Sequence, residues 1–304
     1  MIIKVLNFTT TPYPLISNFH PSKHSSHIMV LYCLHVTTGV LLTSSYEFPG
    51  RYSRWTVGFT APAIQIEGTG LNFTITALNE RGQVLSSFIR SRLEGDHDLF
   101  TLDDIITHHS HGNNSIGVSS FSGHVVRSLD GQYFTEEDRS KQPSLFSLVR
   151  AVRDVFEGGE AGQLGLYGAF GYDLTFQFEP VAPKKTRGSD QRDLVMYLPD
   201  QIVVIDNQRD DAWTVSYDFT SSSPTSSTAH ELTTVGLPRT ASISKYESNT
   251  SGDKLEKRDT DKGKYAESVL RAKQEFKVGN LFEVVLSQTF KEAMTVPPST
   301  VFRR

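Results

Sequence analysis

Alternation of apolar and polar side chains sets the character of this chain from residue 28 onward. Leu71, Phe73, Ile75 and Ala77 fall on one face of a run whose other face carries Asn72, Thr74 and Thr76. A period of two is what a half-buried strand requires. Short apolar runs at 28–34, 39–44, 63–67 and 83–89 predict further strands, with 79–82 as the turn between the 71–78 strand and that at 83–89. Residues 202–205 and 213–219 predict a hairpin joined across the polar stretch 206–211. The run 164–171 predicts a strand in which Gly165, Gly168 and Gly171 let backbones or rings approach closely.

Helical spacing occurs in two places. Leu145, Leu148, Val149, Val152, Val155 and Phe156 recur every three or four residues behind Pro143 and Ser144, which predicts an amphipathic helix stopped by Gly158 and Gly159. Tyr265, Val269, Ala272 and Phe276 repeat the pattern, with Gly279 placed to end that helix. The apolar run 281–290 after it predicts a strand. Segments 1–27 and 220–262 carry no sustained period. The first predicts a poorly ordered N-terminal extension, and the second, rich in Ser and Thr, a flexible loop. Together these elements predict an α+β fold, an antiparallel β-sandwich with peripheral helices. Its core region would be 28–219, and a further region would begin at 263 and break off at 304, leaving the fold incomplete at the C-terminus.

Composition narrows the function classes. The 304 residues carry a net charge of −4, and no basic tract is dense enough to follow a phosphate backbone, which argues against nucleic acid as a partner. The single cysteine, Cys33, offers neither a disulfide nor paired thiol ligands. No run approaches the roughly 20 apolar residues needed to span a bilayer. A cytoplasmic location is the expectation, with organelle targeting by the first residues left open.

The candidate chemistry is sparse. His108, His109 and His111 could ligate a metal, yet their Ser and Asn neighbours suit a solvated loop better. The run SSYEFPGRYSRW sets Arg51 and Arg54 beside Ser44, Ser45 and several aromatic rings. Such a set can hold a carboxylated small molecule by charge-assisted hydrogen bonds and ring contacts, or it is a strand followed by a turn that packs its rings. Glu283 in the late apolar run could position a nucleophile or move a proton, although its sequence neighbours identify no partner. P-loop, nucleophile-elbow and HExxH patterns are absent.

Four segments taken together, LLTSSYEFPGRYSRW, GLYGAFGYDLTFQFEP, RDLVMYLPD and AKQEFKVGNLFEVVLSQTF, resemble the anthranilate synthase component I family of chorismate-utilising enzymes. The likeness is strongest to forms fused to a glutamine amidotransferase, and it runs in order from about residue 28 to 304. The resemblance implies conversion of chorismate and glutamine-derived ammonia to anthranilate and pyruvate, a lyase activity that requires Mg2+ at the chorismate site. It also implies feedback inhibition by tryptophan, an amidotransferase domain or subunit, and a possible homodimer. By the same resemblance Leu42, Ser44 and Arg54 belong to the inhibitor site. Thr43 stands where many members have glutamate. Glu283 occupies the place of a lysine in the water-adding relatives, which favours the ammonia-using branch and gives Glu283 a positioning or polar lining role. The metal ligands and most chorismate contacts would lie beyond Arg304, so the expectation for this chain alone is incomplete catalysis. Two other functions remain open: a portion of an aminodeoxychorismate synthase, and a noncatalytic tryptophan-binding or assembly module.

Overall fold

A computed structural model describes residues 2–12, 38–43, 54–108, 117–127, 135–156, 162–179, 184, 186–188, 190–209, 211–222, 233–240, 258–292, 296 and 300–301. The chain divides into two compact units, Met1–Ser244 and Lys245–Arg304.

Two antiparallel sheets make up the first unit. The six-stranded sheet is ordered β6 (Phe100–His108), β7 (Gly117–Val125), β5 (Asn72–Ala77), β4 (Ile64–Thr69), β9 (Leu194–Leu198) and β8 (Tyr167–Phe170). The five-stranded sheet is ordered β1 (Ile2–Pro12), β11 (Asp211–Ser222), β10 (Gln201–Asp206), β3 (Trp55–Phe59) and β2 (Val40–Leu42). Alternation does the sorting. Ile64 and Ile66 of β4, Phe73 and Ile75 of β5, and Leu194, Met196 and Leu198 of β9 are all buried on one face. Ile202, Val204, Val215, Tyr217 and Phe219 of the other sheet belong to the same apolar cluster. Phe156 meets Phe219 edge-on at 5.4 Å, and Phe59 meets Tyr167 at 5.6 Å. Each fully buried Leu, Ile or Phe contributes about 1.5–3 kcal/mol. The mixed helix and antiparallel-sheet class expected from the sequence is present.

Helix α1 spans Glu80–Glu94, where the sequence predicted a turn followed by a strand. Two local features decide against the strand. Asn79 caps the helix, its Oδ1 accepting from the Gly82 amide at 2.9 Å. Leu85, Phe88, Ile89 and Leu93 then form a helical stripe that is buried against the six-stranded sheet. The pattern itself agrees with the helix, because Val84 and Leu85 recur four residues on as Phe88 and Ile89 with Ser86 and Ser87 between them. Gly82 is required by packing, since a Cβ there would lie 2.0 Å from the Ala63 carbonyl oxygen.

A short helix α2 (Glu136–Arg139) precedes α3 (Leu145–Val155), which forms where predicted. Ser144 and Ser147 form a reciprocal capping box at the start of α3, and its apolar face packs on α1. The Gln177 side chain, on a 3-10 turn at Tyr172–Gln177, accepts from the Leu145 amide at 3.1 Å and donates to the Gly70 carbonyl. The predicted hairpin 202–205/213–219 forms as β10 and β11. At β8, a Cβ on Gly168 would sit 2.0 Å from the Val195 carbonyl oxygen, so the sheet edge closes there only around glycine.

Three expectations need correction. Residues 2–12, expected to be poorly ordered, form β1 and pair with β11 from Ile2↔Ser222 to Pro12↔Trp213. The β-branched and aromatic residues among them favour extended backbone, and the open side of β11 supplies a partner. The Ser/Thr-rich segment starts later than residue 220, because β11 runs to Ser222 and residues 233–240 pack back on the first unit, with Thr234 fully buried. The strand predicted at 281–290 does not form. A strand needs a neighbour, and among the described residues only the bridge Arg258↔Phe290 pairs with this run. Residues 28–34, 13–27 and 157–160 lie outside the described residues.

In the second unit, α4 (Lys264–Lys277) follows the predicted spacing, and Gly279 adopts the left-handed φ of 79° just past its end. Of the predicted apolar face, Ala272 is buried, whereas Tyr265 and Phe276 are exposed.

Candidate functional site

Pairing of β2 with β3 brings together two of the sequence-predicted inhibitor-site positions, Leu42 and Arg54. Leu42 lies opposite Val57, and the register continues so that the Thr43 and Thr56 hydroxyls meet at 2.9 Å. Thr56 also accepts from the Asn207 amide side chain at 3.2 Å. The Asn207 backbone N–H donates to the Arg54 carbonyl at 2.7 Å. The β10–β11 turn is thus sewn to the entry of β3. Leu42 is 49% exposed and Trp55 46%, leaving an apolar rim on this sheet edge. Ser44, Ser45 and Arg51 lie outside the described residues.

Arg54 is held by Asp206 at the end of β10. Its Nε donates to Asp206 Oδ1 at 3.2 Å and its Nη2 to Oδ2 at 2.9 Å, a forked ion pair. The guanidinium also stacks over the Trp55 ring, 4.5 Å from its centroid, while Trp55 meets Trp213 edge-on at 6.0 Å. Asp206 accepts further from the Gln208 and Arg209 backbone amides at 3.0 and 3.3 Å. The Arg54 hydrogen bond, and after it these amides, hold the Asp206 carboxyl below the usual range even though its burial opposes them. A neutralised, stacked guanidinium beside an exposed apolar rim can take a planar ligand bearing a carboxylate only by sharing Arg54 with Asp206.

Glu283 belongs to the other unit, exposed on the 281–290 run. It is not part of the sheet-edge cluster. Nearby, the Gln288 side chain donates to the Thr260 carbonyl at 3.3 Å and the Tyr265 hydroxyl to the Leu286 carbonyl at 3.3 Å. These bonds hold the run against α4 and the residues before it. His108 ends β6, while His109 and His111 lie outside the described residues. Among the described residues no three His, Cys, Asp or Glu side chains converge on a point where a metal ion could sit.

The glycine-rich motif does structural work. Asp193, buried at the start of β9, accepts from the Gly70 amide at 2.7 Å and from Arg187 at 2.6 Å, and Arg187 also faces Asp173 at 3.3 Å. These bonds tie the β4–β5 turn to the end of β8. Below it, an open depression is lined by Glu67, Asn72, Thr74, Asp190 and Arg192 among others.

Sequence reasoning missed a second arginine cluster entirely. Arg81, in the first turn of α1 and 1% exposed, donates through Nε to Asp200 and through Nη2 to Asp218 at 2.8 Å and the Tyr217 carbonyl at 2.8 Å. Arg239 joins it, with Nη2 3.2 Å from Asp218 and Nε 3.3 Å from Asp200. Burial pushes the Asp200 carboxyl up against the opposing pull of both guanidinium groups, and among the described residues its Oδ1 has no hydrogen-bond partner. The only available signal was an arginine two residues after a capping Asn, and residues 79–82 had been assigned to a turn. Asp206 was as well hidden, because its partner is 152 positions away in the chain.

Comparison with known proteins adds what geometry leaves open. Residues 109–304 match the family model described as chorismate binding enzyme. The chain is also similar to a protein named anthranilate synthase from Azospirillum brasilense, 39% identical over 266 residues. That alignment covers 88% of this chain and 33% of the relative, so the chain spans about a third of that protein's length. Among the described residues no helix is long and apolar enough to cross a membrane. Because the family match takes in well over half of the chain, this chain belongs to the family of chorismate binding enzymes.

Proposed function

We propose that this chain is the N-terminal portion of an anthranilate synthase, a lyase of tryptophan biosynthesis that turns chorismate and glutamine-derived ammonia into anthranilate and pyruvate. The observation that carries this is the similarity to a protein of that name over 88% of the chain. In this reading a glutamine amidotransferase domain or subunit supplies the ammonia. The two sheets are the inner layers of a β-sandwich to which further sequence is added, and the assembly is a homodimer. Mg2+ serves the chorismate site of the complete enzyme. The described residues of this chain assemble no group of three or more His, Cys, Asp or Glu side chains for it.

Within the chain, Leu42, Ser44 and Arg54 form part of the tryptophan feedback site, and Glu283 lines or orients within the chorismate region. The forked Arg54–Asp206 pair supports a binding role for that edge, since it holds a guanidinium in one orientation beside the exposed Leu42 and Trp55. The 304 residues alone are catalytically incomplete.

Purified chain supplied with chorismate, Mg2+ and ammonia tests this, with anthranilate fluorescence and pyruvate read in one sample. The expected result is no turnover by the chain alone and both products when the sequence found in the longer relative is joined to it. An aminated product without pyruvate from the longer form would point to aminodeoxychorismate synthase. Tryptophan binding without turnover in either form would point to a regulatory module. Turnover by the 304 residues alone would overturn the incompleteness.

A further inference from the structure

The four charges of the buried cluster surround one short peptide. Residues 233–240 return to the first unit after β11 and before the boundary at Ser244. Thr220 and Thr233 form an isolated antiparallel bridge, and the Thr234 amide donates to the Phe219 carbonyl at 2.9 Å. The Thr234 hydroxyl accepts from the Phe219 amide at 2.8 Å. β10 pairs with β11 only as far as Ser216, so residues 233 and 234 take over the side of β11 that β10 leaves uncovered.

The peptide is shaped for the arginine that holds it. Leu237 N–H donates to the Thr234 carbonyl at 3.1 Å, closing a turn in which Gly236 adopts φ 79°, a conformation that favours glycine at the third turn position. That turn offers the Thr234 and Leu237 carbonyls to a single nitrogen, Arg81 Nη1, at 2.6 and 3.2 Å. Arg239, inside the peptide, reaches Asp218 and the Tyr217 carbonyl, the same acceptors that Arg81 Nη2 uses. At the far end the Asn79 side chain donates to the Thr240 carbonyl at 3.2 Å while its oxygen caps α1. Asn79 and Arg81, two residues of one helix start, therefore grip both halves of the peptide.

We infer that residues 233–240 are a latch, docked as a unit on the β11 edge and the α1 N-terminus, which fixes the point where the chain leaves the first unit. The buried cluster is neutral only while the latch is seated. Arg81 and Arg239 balance Asp200 and Asp218, and removal of the peptide takes away Arg239 together with three acceptors of Arg81. Seating is consequently cooperative, and the latch opens as a whole.

Hydrogen exchange of the full chain, followed by mass spectrometry at neutral pH, tests the latch. The native chain is expected to protect 233–240 together with Phe219. Thr234→Val removes the shared hydroxyl and is expected to raise exchange at 233–240 and at Phe219 roughly 5-fold or more, with β4, β5 and the interior of α1 unchanged. Thr234→Ser restores the hydroxyl and the protection. Arg239→Met, a change at a partly exposed side chain, gives the same local release and serves if the valine variant does not fold. Native exchange at 233–240 as fast as in an unstructured peptide would overturn the latch. So would release spread evenly over β4 and β5, or protection unchanged in both variants.

Discussion

Two arginine–aspartate pairs in the first unit use the same chemistry in opposite surroundings. Arg54 is 35% exposed, forks onto Asp206 at a sheet edge and covers a tryptophan face. Arg81 is 1% exposed and meets Asp200, also 1% exposed, at the junction of a helix start, a strand turn and a returning peptide. At the edge, the Arg54 hydrogen bond, joined by two backbone amides, completes the carboxylate's coordination and its affinity for protons falls. In the interior one carboxylate oxygen stays unpartnered and the affinity for protons rises, even with two guanidinium groups adjacent. Coordination sets the difference, since both carboxylates are nearly fully buried and a charge removed from water regains its loss only when every lone pair is satisfied. The edge pair is suited to being shared with a ligand. The buried one is suited to holding three chain segments in register.

The largest break of this contrast comes from the interior. Arg81→Met is expected to destabilise the first unit by about 3–5 kcal/mol, since it leaves Asp200 buried with Arg239 as its remaining cation and strips Asp218 and three backbone carbonyls of their donor. Urea unfolding monitored by tryptophan fluorescence gives the value. Adding Asp200→Asn to that variant removes the stranded charge and is expected to restore part of the loss. A double variant less stable than Arg81→Met would show that the charge itself was not the source. Next in size is Gly82→Ala, whose Cβ would press on the Ala63 carbonyl. Overpacking of this kind costs about 1–3 kcal/mol, and the same unfolding series measures it.

What the sequence made legible was periodicity, and what it hid was partnership. The β4, β5, β10 and β11 strands and the α3 helix announce themselves because each carries its apolar face in full, as in Phe73 and Ile75 or Leu148 and Val152. The α1 helix was legible but misread: Val84, Leu85, Phe88 and Ile89 fall at helical spacing behind the Asn79 cap, yet a seven-residue window taken alone hides the repeat that Leu93 completes. The 281–290 run shows the converse error. Its β-branched residues favour extended backbone, but a strand is completed by a neighbour that pattern alone does not supply. For the site, Leu42 and Arg54 were visible through resemblance and proved to share the β2–β3 edge. Asp206, which fixes Arg54, and Asn207, which fixes Thr56, were not visible, because side chains more than a hundred residues apart leave no mark on local spacing.

The edge pair should respond far less than the interior one. Arg54→Gln keeps most of the side-chain length and removes the fork, and its unfolding midpoint is expected to fall by less than that of Arg81→Met. The difference from the native chain should shrink further at high salt, because the partly exposed Arg54 is screened while the fully buried Arg81 is not. A salt-independent loss as large as that of Arg81→Met would erase the distinction between the two sites.

The finest test uses protons, because the two carboxylates are displaced in opposite directions from the ordinary value of 3.8. Asp206 is lowered, so its contribution to stability is fully present above 3.8 and is lost as pH falls through its native value. Asp200 is raised, so the folded chain holds that proton more tightly than the unfolded chain does. Stability from Asp200 is consequently greatest in acid and declines as pH rises from 3.8 through its native value. Measured as native minus variant, the stability difference for Asp206→Asn should narrow below pH 3.8. For Asp200→Asn it should narrow as pH climbs above 3.8. Urea titrations at closely spaced pH values read both slopes. Slopes of the same sign would mean that Asp200 is hydrated or fully paired in solution, and that burial does not separate the two sites.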